Sequence, residues 1–342
     1  MKRVGVDLGY GYVKLSSGET EVAFPSVVGV GQQLHYQSEL RIHQDPLANM
    51  TVEVGGSRYF VGDLAIRQSG IAARSLDADR VGDRNAQVLF LSGLGMLSSW
   101  DKEAYAVVTG LPTSSFAADA ARWEESLKGI HQIQFGTNGA LKPREIEISK
   151  VRVIPQPFGS LYDQVLDAQG NITDQELAAM RIGIVDIGFK TSDLVVADGL
   201  EYIDHLSRST TTAMSTAYDL VAEELRQTLH VHRENYELDR VIREGKIRLA
   251  GKVHDIADAR VQAFRNVAAK ILTEIESLWD FQSLDMILIT GGGGAALAQY
   301  LTAEFPHAHV VKDPQLANAR GYRKFANHLF RNGDRHTEAA AY

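Results

Sequence analysis

Residues 3–15 read Arg-Val-Gly-Val-Asp-Leu-Gly-Tyr-Gly-Tyr-Val-Lys-Leu: an alternating apolar run, a glycine turn and a second apolar run. This pattern predicts two short strands joined by a tight turn. Residues 181–196 read Arg-Ile-Gly-Ile-Val-Asp-Ile-Gly-Phe-Lys-Thr-Ser-Asp-Leu-Val-Val and repeat it. Asp7 and Asp186 occupy equivalent positions 179 residues apart (186 minus 7), about half of the chain length. Such a repeat predicts two similar halves that face each other, because solenoid arrays repeat roughly every 20–50 residues.

The composition sets limits on the class of protein. A chain of 342 residues has room for two domains or one large domain. It contains no Cys, which excludes disulfide scaffolds, thiolate zinc sites and Cys nucleophiles. The net charge of -8 argues against direct binding to nucleic acid. Without a signal-peptide pattern or an apolar run of about 18 residues, the sequence predicts a cytoplasmic protein with no membrane association.

Strand patterns alternate with helix patterns along the chain, which predicts an α/β protein with helices on both faces of its sheets. The predicted strands beyond the two hairpins are 58–61, 105–111, 151–154 and 286–289, and the predicted helices are 84–100, 213–229, 256–281 and one that starts at Ala295.

The first hairpin contains the run Asp-x-Gly-x-Gly-x-x-Lys. In the turn Gly9-Tyr10-Gly11, glycines allow the backbone to approach an anion closely, so that its N–H groups line a phosphate. Lys14 on the outgoing strand is placed to reach a terminal phosphate oxygen, and Asp7 to hold Mg²⁺ through water. The alternative is an ordinary glycine hairpin with a capping Asp.

The second hairpin has the same form and predicts a second phosphate clamp. Asp186 would act on the metal or on an attacking water, and Gly188, Phe189 and Lys190 form the turn. A plain hairpin is again the alternative. Two matching hairpins at half-chain separation favour a nucleotide clamped between two domains.

A third glycine-rich stretch, Gly291, Gly292 and Gly293 within a run of four, follows a predicted strand and precedes a helix. It permits a flat ligand or a phosphate to approach a helix N-terminus. The run with Ala296 also fits a dinucleotide fingerprint, and Asp313 stands where a ribose-binding acid would. Only 52 residues remain from Gly291 to the end, too few for the two halves of a dinucleotide fold.

Gln156 lies between two prolines after a predicted strand. A glutamine orients a water by donating and accepting hydrogen bonds without being a strong base. An exposed loop glutamine is the alternative. The sequence has no Gly-x-x-x-x-Gly-Lys-Ser/Thr, His-Glu-x-x-His or Gly-x-Ser-x-Gly run, which excludes P-loop, zincin and nucleophile-elbow chemistry.

Together these motifs resemble those of the actin, sugar-kinase and heat-shock-chaperone ATPase superfamily. Within it, the stretches 59–65 and 317–322 are similar to actin-like proteins of the ParM/StbA plasmid-segregation type. The stretches that carry the superfamily resemblance are 7–14 and 184–193 (phosphate motifs), 151–159 and 318–322 (connecting segments) and 287–297 (adenosine motif).

The resemblance implies a two-domain α/β actin-like ATPase fold with a nucleotide cleft between duplicated ribonuclease-H-like halves. We expect domain I over 1–160 with an insertion near 26–80, domain II over 161–330 with an insertion near 205–283, and a tail over 331–342.

The resemblance also implies roles for individual residues. Asp7 and Asp186 would serve Mg²⁺ and water, Gln156 the nucleophilic water, and the glycines of the three runs the phosphates and adenosine of ATP, with GTP left open. Weaker nucleotide-binding candidates are Arg243, Lys246 and Asn318. Phe189 and Lys190 depart from the family, where small residues are usual.

The implied function is an ATPase that assembles head to tail into filaments and segregates plasmids or DNA, together with a DNA-binding adaptor protein. The alternatives are a small-molecule kinase of the same superfamily and a nucleotide-binding cytoskeletal or pilus scaffold. The polar segment 26–80 would meet the next subunit in a filament, with Arg41 and Arg67 as contact charges; the alternative is a surface insertion without a partner.

Overall fold

The computed structural model describes residues 1–34, 45–73, 81–137 and 139–331, and these form two compact units. Unit 1 comprises Met1–Ala178 together with Leu316–Tyr342, and unit 2 comprises Ala179–Gln315. The tail predicted over 331–342 lies outside the described residues, except for Arg331.

Strands and helices alternate through both units. The strands are β1 (Lys2–Leu8), β2 (Tyr12–Ser16), β3 (Glu21–Pro25), β4 (Val28–Val30), β5 (Thr51–Val54), β6 (Ser57–Val61), β7 (Ala72–Ala73), β8 (Lys102–Leu111), β9 (Gly129–Gly136), β10 (Lys142–Pro155), β11 (Arg181–Ile187), β12 (Ser192–Asp198), β13 (Glu201–Thr210), β14 (Lys246–Leu249), β15 (Lys252–Asp255), β16 (Met286–Thr290) and β17 (Ala308–Val310). The helices are α1 (Asp63–Gln68), α2 (Arg84–Leu97), α3 (Thr113–Leu127), α4 (Phe158–Val165), α5 (Gln175–Ala179), α6 (Met214–Leu229), α7 (Leu238–Glu244), α8 (Ala257–Leu278), α9 (Gly291–Glu304) and α10 (Ala317–Leu329).

The two units share one sheet topology, which confirms the predicted duplication. In unit 1 the order β3-β2-β1-β8-β10 has two antiparallel pairs followed by two parallel pairs. In unit 2 the order β13-β12-β11-β16-β17 shows the same succession. The hairpin registers agree as well, because Asp7 pairs with Lys14 and Asp186 with Asp193. The repeat seen in the sequence therefore belongs to two equivalent central sheets.

Strand β1 is buried along both faces, as expected of a near-continuous apolar strand in the middle of a sheet. Val4 and Val6 join the core cluster that includes Leu89 of α2. Gly5, between them, points the other way, where an added Cβ would overlap the carbonyl oxygen of Ala319 in α10. Because residues alternate between the two faces of β1, α2 packs on one face of the sheet and α10 on the other.

The described part of the predicted insertion 26–80, residues 26–34 and 45–73, continues the unit 1 sheet. Its strands β4, β5, β6 and β7 extend the unit 1 sheet beyond β9, in the order β10-β9-β5-β6-β4-β7. In unit 2 the predicted insertion 205–283 contributes to the central core, because Ala217 of α6 and Ile271 of α8 pack in one cluster with Val185 of β11. The small sheet β14-β15 within this segment is separate from the central one.

The unit boundaries differ from the predicted division at 160/161. Helices α4 and α10 pack against each other in unit 1, and the cause is a close crossing of two glycines. A Cβ on Gly321 would overlap the carbonyl oxygen of Gly159. Beside this crossing, Asp163 lies 3.0 Å from Arg320 Nε and 2.9 Å from Lys324 Nζ, with only 6% of its side chain exposed. This contact ties residues 317–329 to unit 1 although they follow unit 2 in the chain.

Most predicted elements are confirmed, and the differences lie at their ends. The helix predicted over 84–100 ends at Leu97, and the strand predicted over 151–154 is the last part of the 14-residue β10. The helix predicted from Ala295 begins at Gly291, so the glycine run is the first helical turn rather than a loop. The helices predicted over 213–229 and 256–281 are α6, which begins at Met214, and α8, which begins at Ala257 and ends at Leu278.

The glycine crossing gives a test of stability. Gly321→Ala improves helix propensity by about 1 kcal/mol, but the overlap with Gly159 outweighs this gain. We expect the free energy of unfolding to fall by about 2–3 kcal/mol, as for overpacked cores. Thermal unfolding measures the change. Gly70→Ala is the control, since nothing lies within 4 Å of a Cβ built there; equal midpoints for both variants would contradict the packing argument.

Candidate functional site

The turn after β1 is a close backbone approach that requires glycine. Gly9 N donates to Tyr12 O at 3.1 Å. A Cβ on Gly9 would stand 2.8 Å from Tyr12 O and 3.0 Å from Lys14 Nζ. Tyr10, at the tip of the turn, is half-buried against the unit 1 core. The predicted tight turn is therefore present, with Lys14 folded back over its first glycine.

The carboxylate of Asp7 contacts two other predicted site residues, Lys14 and Gln156. Asp7 is 2% exposed, and Lys14 Nζ lies 2.9 Å from its Oδ2. Gln156 Nε2 donates to its other oxygen, Oδ1, at 3.2 Å. A buried charge needs such partners, because its desolvation otherwise costs several kcal/mol. Two segments about 150 residues apart in sequence therefore meet on one carboxylate.

Ser26 is a site residue that the sequence analysis missed. It is fully buried, and its Oγ donates to Gly9 O at 2.6 Å while its N donates to Gly11 O at 2.9 Å. One residue thus holds two carbonyl groups of the glycine turn and fixes its conformation. The only sequence signal is a polar residue directly after the strand that follows the hairpin.

The second hairpin reproduces this geometry in unit 2. Gly188 N donates to Thr191 O at 2.9 Å, and a Cβ on Gly188 would stand 2.9 Å from that oxygen. Asp186 is 3% exposed. Its register partner, Asp193, is 2% exposed and occupies the position that Lys14 has in the first hairpin. The second hairpin therefore has two buried carboxylates where the first has a carboxylate and an ammonium, a difference that aligning the two repeats reveals.

The aromatic residue in the second turn has a packing explanation. Phe189 meets the ring of Tyr218 edge to face, with 5.1 Å between centroids and 88° between planes. The carbonyls of the turn accept from the start of α6: Met214 N donates to Gly188 O at 3.3 Å and Ser215 N to Phe189 O at 2.7 Å. Lys190 is exposed. Phe189 thus anchors the turn on α6, where a small residue would leave Tyr218 uncovered.

The glycine run lies directly against the second hairpin. Gly291 has a φ of +82°, and a Cβ there would overlap both Asp186 Oδ1 and the carbonyl oxygen of Ile187. A Cβ on Gly293 would stand 2.5 Å from Ile187 Cγ2, whereas Gly292 has nothing nearer than 4.0 Å. The structure therefore brings Asp186 and the first turn of α9 together, and glycine is required at two of the three positions.

The remaining predicted nucleotide contacts lie elsewhere. Arg243 lies in the last turn of α7 and Lys246 begins β14; both are exposed, and Gly245, between them, has a left-handed conformation. Asn318 belongs to unit 1, is 4% exposed, and accepts from Ser160 N at 2.9 Å through its Oδ1. That bond caps the first turn of α4, a structural role that the motif alone does not reveal. Nucleotide contacts by these three residues stay predictions.

The side chains of the site suit a cation held through water. Across the described ranges, no three His, Asp or Glu side chains converge into a metal cluster. Each hairpin instead offers a buried carboxylate beside a glycine turn, and Mg²⁺ commonly binds through one or two carboxylates, water and phosphates. Within the same ranges, no helix is long and apolar enough to span a membrane.

Two protein-family models match successive parts of the chain. Residues 5–159 match the N-terminal domain of actin-like proteins. Residues 184–303 match the C-terminal domain of the MreB-like archaeal actin homologues. The chain belongs to the actin-like proteins. No curated protein sequence matches it.

Solved structures of other actin-like proteins share the fold. A 15-stranded ParM filament from Clostridium botulinum has a TM-score of 0.83 at 24% identity, over 96% of this chain and 99% of that one. The archaeal actin homologue Ta0583 in complex with ADP has a TM-score of 0.78 at 19% identity, over 96% and 100%. The actin-like protein Alp7A has a TM-score of 0.78 at 17% identity, over 99% of both chains. At these identities the likeness is one of fold.

The buried ion pair in the first hairpin is testable. Lys14→Met leaves the Asp7 carboxylate with the amide of Gln156 and no cation, so the free energy of unfolding should fall by about 3 kcal/mol, as when one partner of a buried pair is removed. Denaturant titration at neutral pH measures it. Lys128→Met, which breaks an exposed ion pair with Glu125, is the control and should change stability by less than about 1 kcal/mol. Similar losses in both variants would show that Lys14 does not compensate a buried charge.

Proposed function

We propose that this actin-like protein is an ATPase that polymerises into nucleotide-dependent filaments and serves plasmid or DNA segregation in the cytoplasm. The observation that carries the proposal is the cluster on Asp7, where a phosphate-type glycine turn, a lysine and a water-orienting glutamine meet. The equivalent hairpin in unit 2, with Asp186 against the glycine run, supports it. Two similar structures also support the proposal: one is a ParM filament, and the other is an archaeal actin homologue in complex with ADP.

The residues divide the work of phosphoryl transfer to water, which depends mainly on positioning and electrostatics. The two glycine turns would receive phosphates on backbone N–H groups that follow Gly9 and Gly188, whose own N–H groups donate to Tyr12 O and Thr191 O. Lys14 would contact a terminal phosphate oxygen. Asp7 and Asp186 would hold Mg²⁺ through water. When bound, this ion neutralises charge that develops on the phosphates.

Gln156 would orient the attacking water. Its side-chain amide already donates to Asp7, so the carbonyl end of the same amide is available to accept from water. An amide is too weak a base to take the proton fully, which suits slow hydrolysis coupled to filament turnover better than rapid phosphorylation of an alcohol. We propose ATP as the nucleotide, with GTP as the competitor to be tested, and a DNA-binding adaptor as the partner.

Light scattering and electron microscopy after addition of Mg-ATP test the proposal directly. We expect scattering to rise above a critical protein concentration and filaments to be visible, with no rise in Mg-free or nucleotide-free samples. Parallel samples with Mg-GTP decide the base preference. Absence of both nucleotide binding and filaments would overturn the proposed function.

The role of Gln156 predicts a separation of binding from hydrolysis. Gln156→Ala removes the group that orients water but no phosphate contact, so ATP affinity should change less than about threefold while hydrolysis falls roughly 10²-fold or more, the scale of a lost positioning group. Filaments of the variant should persist longer. Single-turnover phosphate release and fluorescent-nucleotide titration are the measurements. Weaker nucleotide binding with unchanged turnover would assign Gln156 to binding instead.

The two arginines predicted to form filament contacts in segment 26–80, Arg41 and Arg67, are unsuitable as mutation sites for a filament test. Arg41 lies outside the described residues. Arg67 is engaged locally: its Nη2 donates to Ala48 O at 2.6 Å and to Asn49 Oδ1 at 3.2 Å, and burial lowers its pKa. Reversing its charge would disturb the segment itself. Two neighbouring apolar side chains at the end of the sheet, Val30 (61% exposed) and Ile71 (75% exposed), are better probes.

We predict that Val30→Glu with Ile71→Glu raises the critical concentration for polymerisation at least about tenfold, since two carboxylates would have to be desolvated at a subunit contact. Nucleotide affinity should be unchanged, because both side chains are exposed and lie outside the hairpins. Pelleting against protein concentration and nucleotide titration on the same sample are the measurements. An unchanged critical concentration would remove this end of the sheet from the filament contact.

A further inference from the structure

Tyr322, in the middle of α10, occupies a slot lined by glycines from three other elements. The side chain is fully buried. A Cβ on Gly5 of β1 would stand 2.8 Å from Tyr322 Cβ, and one on Gly159 of α4 would stand 2.5 Å from its Cε1. A Cβ on Gly110 of β8 would overlap its hydroxyl oxygen. Any side chain on these three residues would displace the phenol ring.

The hydroxyl at the end of this slot bonds the backbone of the proposed water-orienting residue. Tyr322 OH donates to Gln156 O at 2.9 Å. The same residue is held on its other side by the strand end, since Gln156 N donates to Leu111 O at 2.9 Å. Its side-chain amide then reaches Asp7, 3.2 Å away. A chain of three hydrogen-bonded residues therefore runs from α10 to the carboxylate of the first hairpin.

We propose that Tyr322 is a positioning residue, which fixes the backbone of Gln156 so that its amide stays on Asp7 and presents its oxygen to the attacking water. The proposal rests on the proposed function for the reaction itself, but its geometric part concerns this chain alone. The physical reason is distance: the amide nitrogen and oxygen of Gln156 are four bonds from its Cα, so a small tilt of its peptide moves them by a larger amount. Displacements of about 1 Å in a reacting group cost up to roughly 10²-fold in rate.

Because the slot accepts an aromatic ring, the substitution Tyr322→Phe distinguishes a positioning role of Tyr322 from a packing role. A phenylalanine ring fills the slot as well as tyrosine and omits only the hydroxyl. If Tyr322 served packing alone, Tyr322→Phe would cost the stability of one buried hydrogen bond and leave hydrolysis unchanged. If it positions Gln156, the variant would keep nucleotide affinity and lose hydrolysis.

Tyr105→Phe is a matched control. Tyr105 is also fully buried in unit 1, and its hydroxyl lies 2.8 Å from Ser98 Oγ, with a pKa raised by burial. It lies at the other end of β8 from Gly110 and bonds neither Gln156 nor Asp7. Because its hydroxyl also lies 3.3 Å from Leu94 O and 3.4 Å from Glu103 Oε2, Tyr105→Phe should cost at least as much stability as Tyr322→Phe and have no effect on hydrolysis.

The experiment compares the parent, Tyr322→Phe, Tyr105→Phe, Gln156→Ala and the double variant of Gln156→Ala with Tyr322→Phe. Single-turnover ATP hydrolysis, fluorescent-nucleotide affinity and nucleotide-free crystal structures are measured for each. For Tyr322→Phe we expect hydrolysis to fall about tenfold, short of the 10²-fold limit for a displaced group, with affinity unchanged and the Gln156 amide displaced from Asp7. In the Gln156→Ala background, Tyr322→Phe should cause no further fall.

Hydrolysis at the parent rate in Tyr322→Phe, or an equal fall in Tyr105→Phe, would overturn the proposal. So would a fall that persists in the Gln156→Ala background, since Tyr322 would then act by another route. If the parent itself neither binds nor hydrolyses ATP, the proposed function fails, and the crystal structures still decide whether the hydroxyl of Tyr322 holds Gln156 on Asp7.

Discussion

A carboxylate almost wholly removed from water, that of Asp7 at the end of β1, is the constraint on which the rest of the first unit depends. Its desolvation would cost several kcal/mol without partners. Lys14 supplies the charge and Gln156 an amide donor. Because these partners come from the next strand and from a segment 149 residues later, satisfying one buried charge fixes the relative positions of β1, β2 and the end of β10.

Hydrogen bonds link the same carboxylate to α10, which approaches the sheet closely. Gln156 donates to Asp7, and its own backbone carbonyl accepts from the hydroxyl of Tyr322 in α10. A phenol ring fits there because Gly5, Gly110 and Gly159 carry no side chains. The close crossing of Gly159 and Gly321 brings α10 onto α4, and the ion pairs of Asp163 keep it there. The close approach of α10 to the sheet, its crossing with α4 and the position of Gln156 are therefore connected by direct contacts.

The second unit shows how a duplicated framework diverges. The order and directions of the five central strands are retained, and so are the glycine turn and the buried Asp at the end of the first strand. The partner position has changed from lysine to Asp193, and the turn now carries Phe189, which packs on Tyr218 of α6. In place of a glutamine from a distant loop, Asp186 has the glycine run at the start of α9 against it. One sheet topology therefore carries two hairpins with different chemistry.

The sequence by itself determined the features whose causes lie within a few residues. Strand alternation and glycine turns predicted both hairpins, their repeat predicted the duplicated α/β fold, and ordered motifs indicated the actin-like family. Tertiary structure alone decided features that depend on partners distant in the chain: the seat of Tyr322, Asn318 as the cap of α4, Ser26 on the first turn and the assignment of α10 to unit 1. Periodicity and turn chemistry act over short range and can be read along the chain, whereas a buried hydrogen bond or a missing Cβ has meaning only once packing has brought its partner into contact.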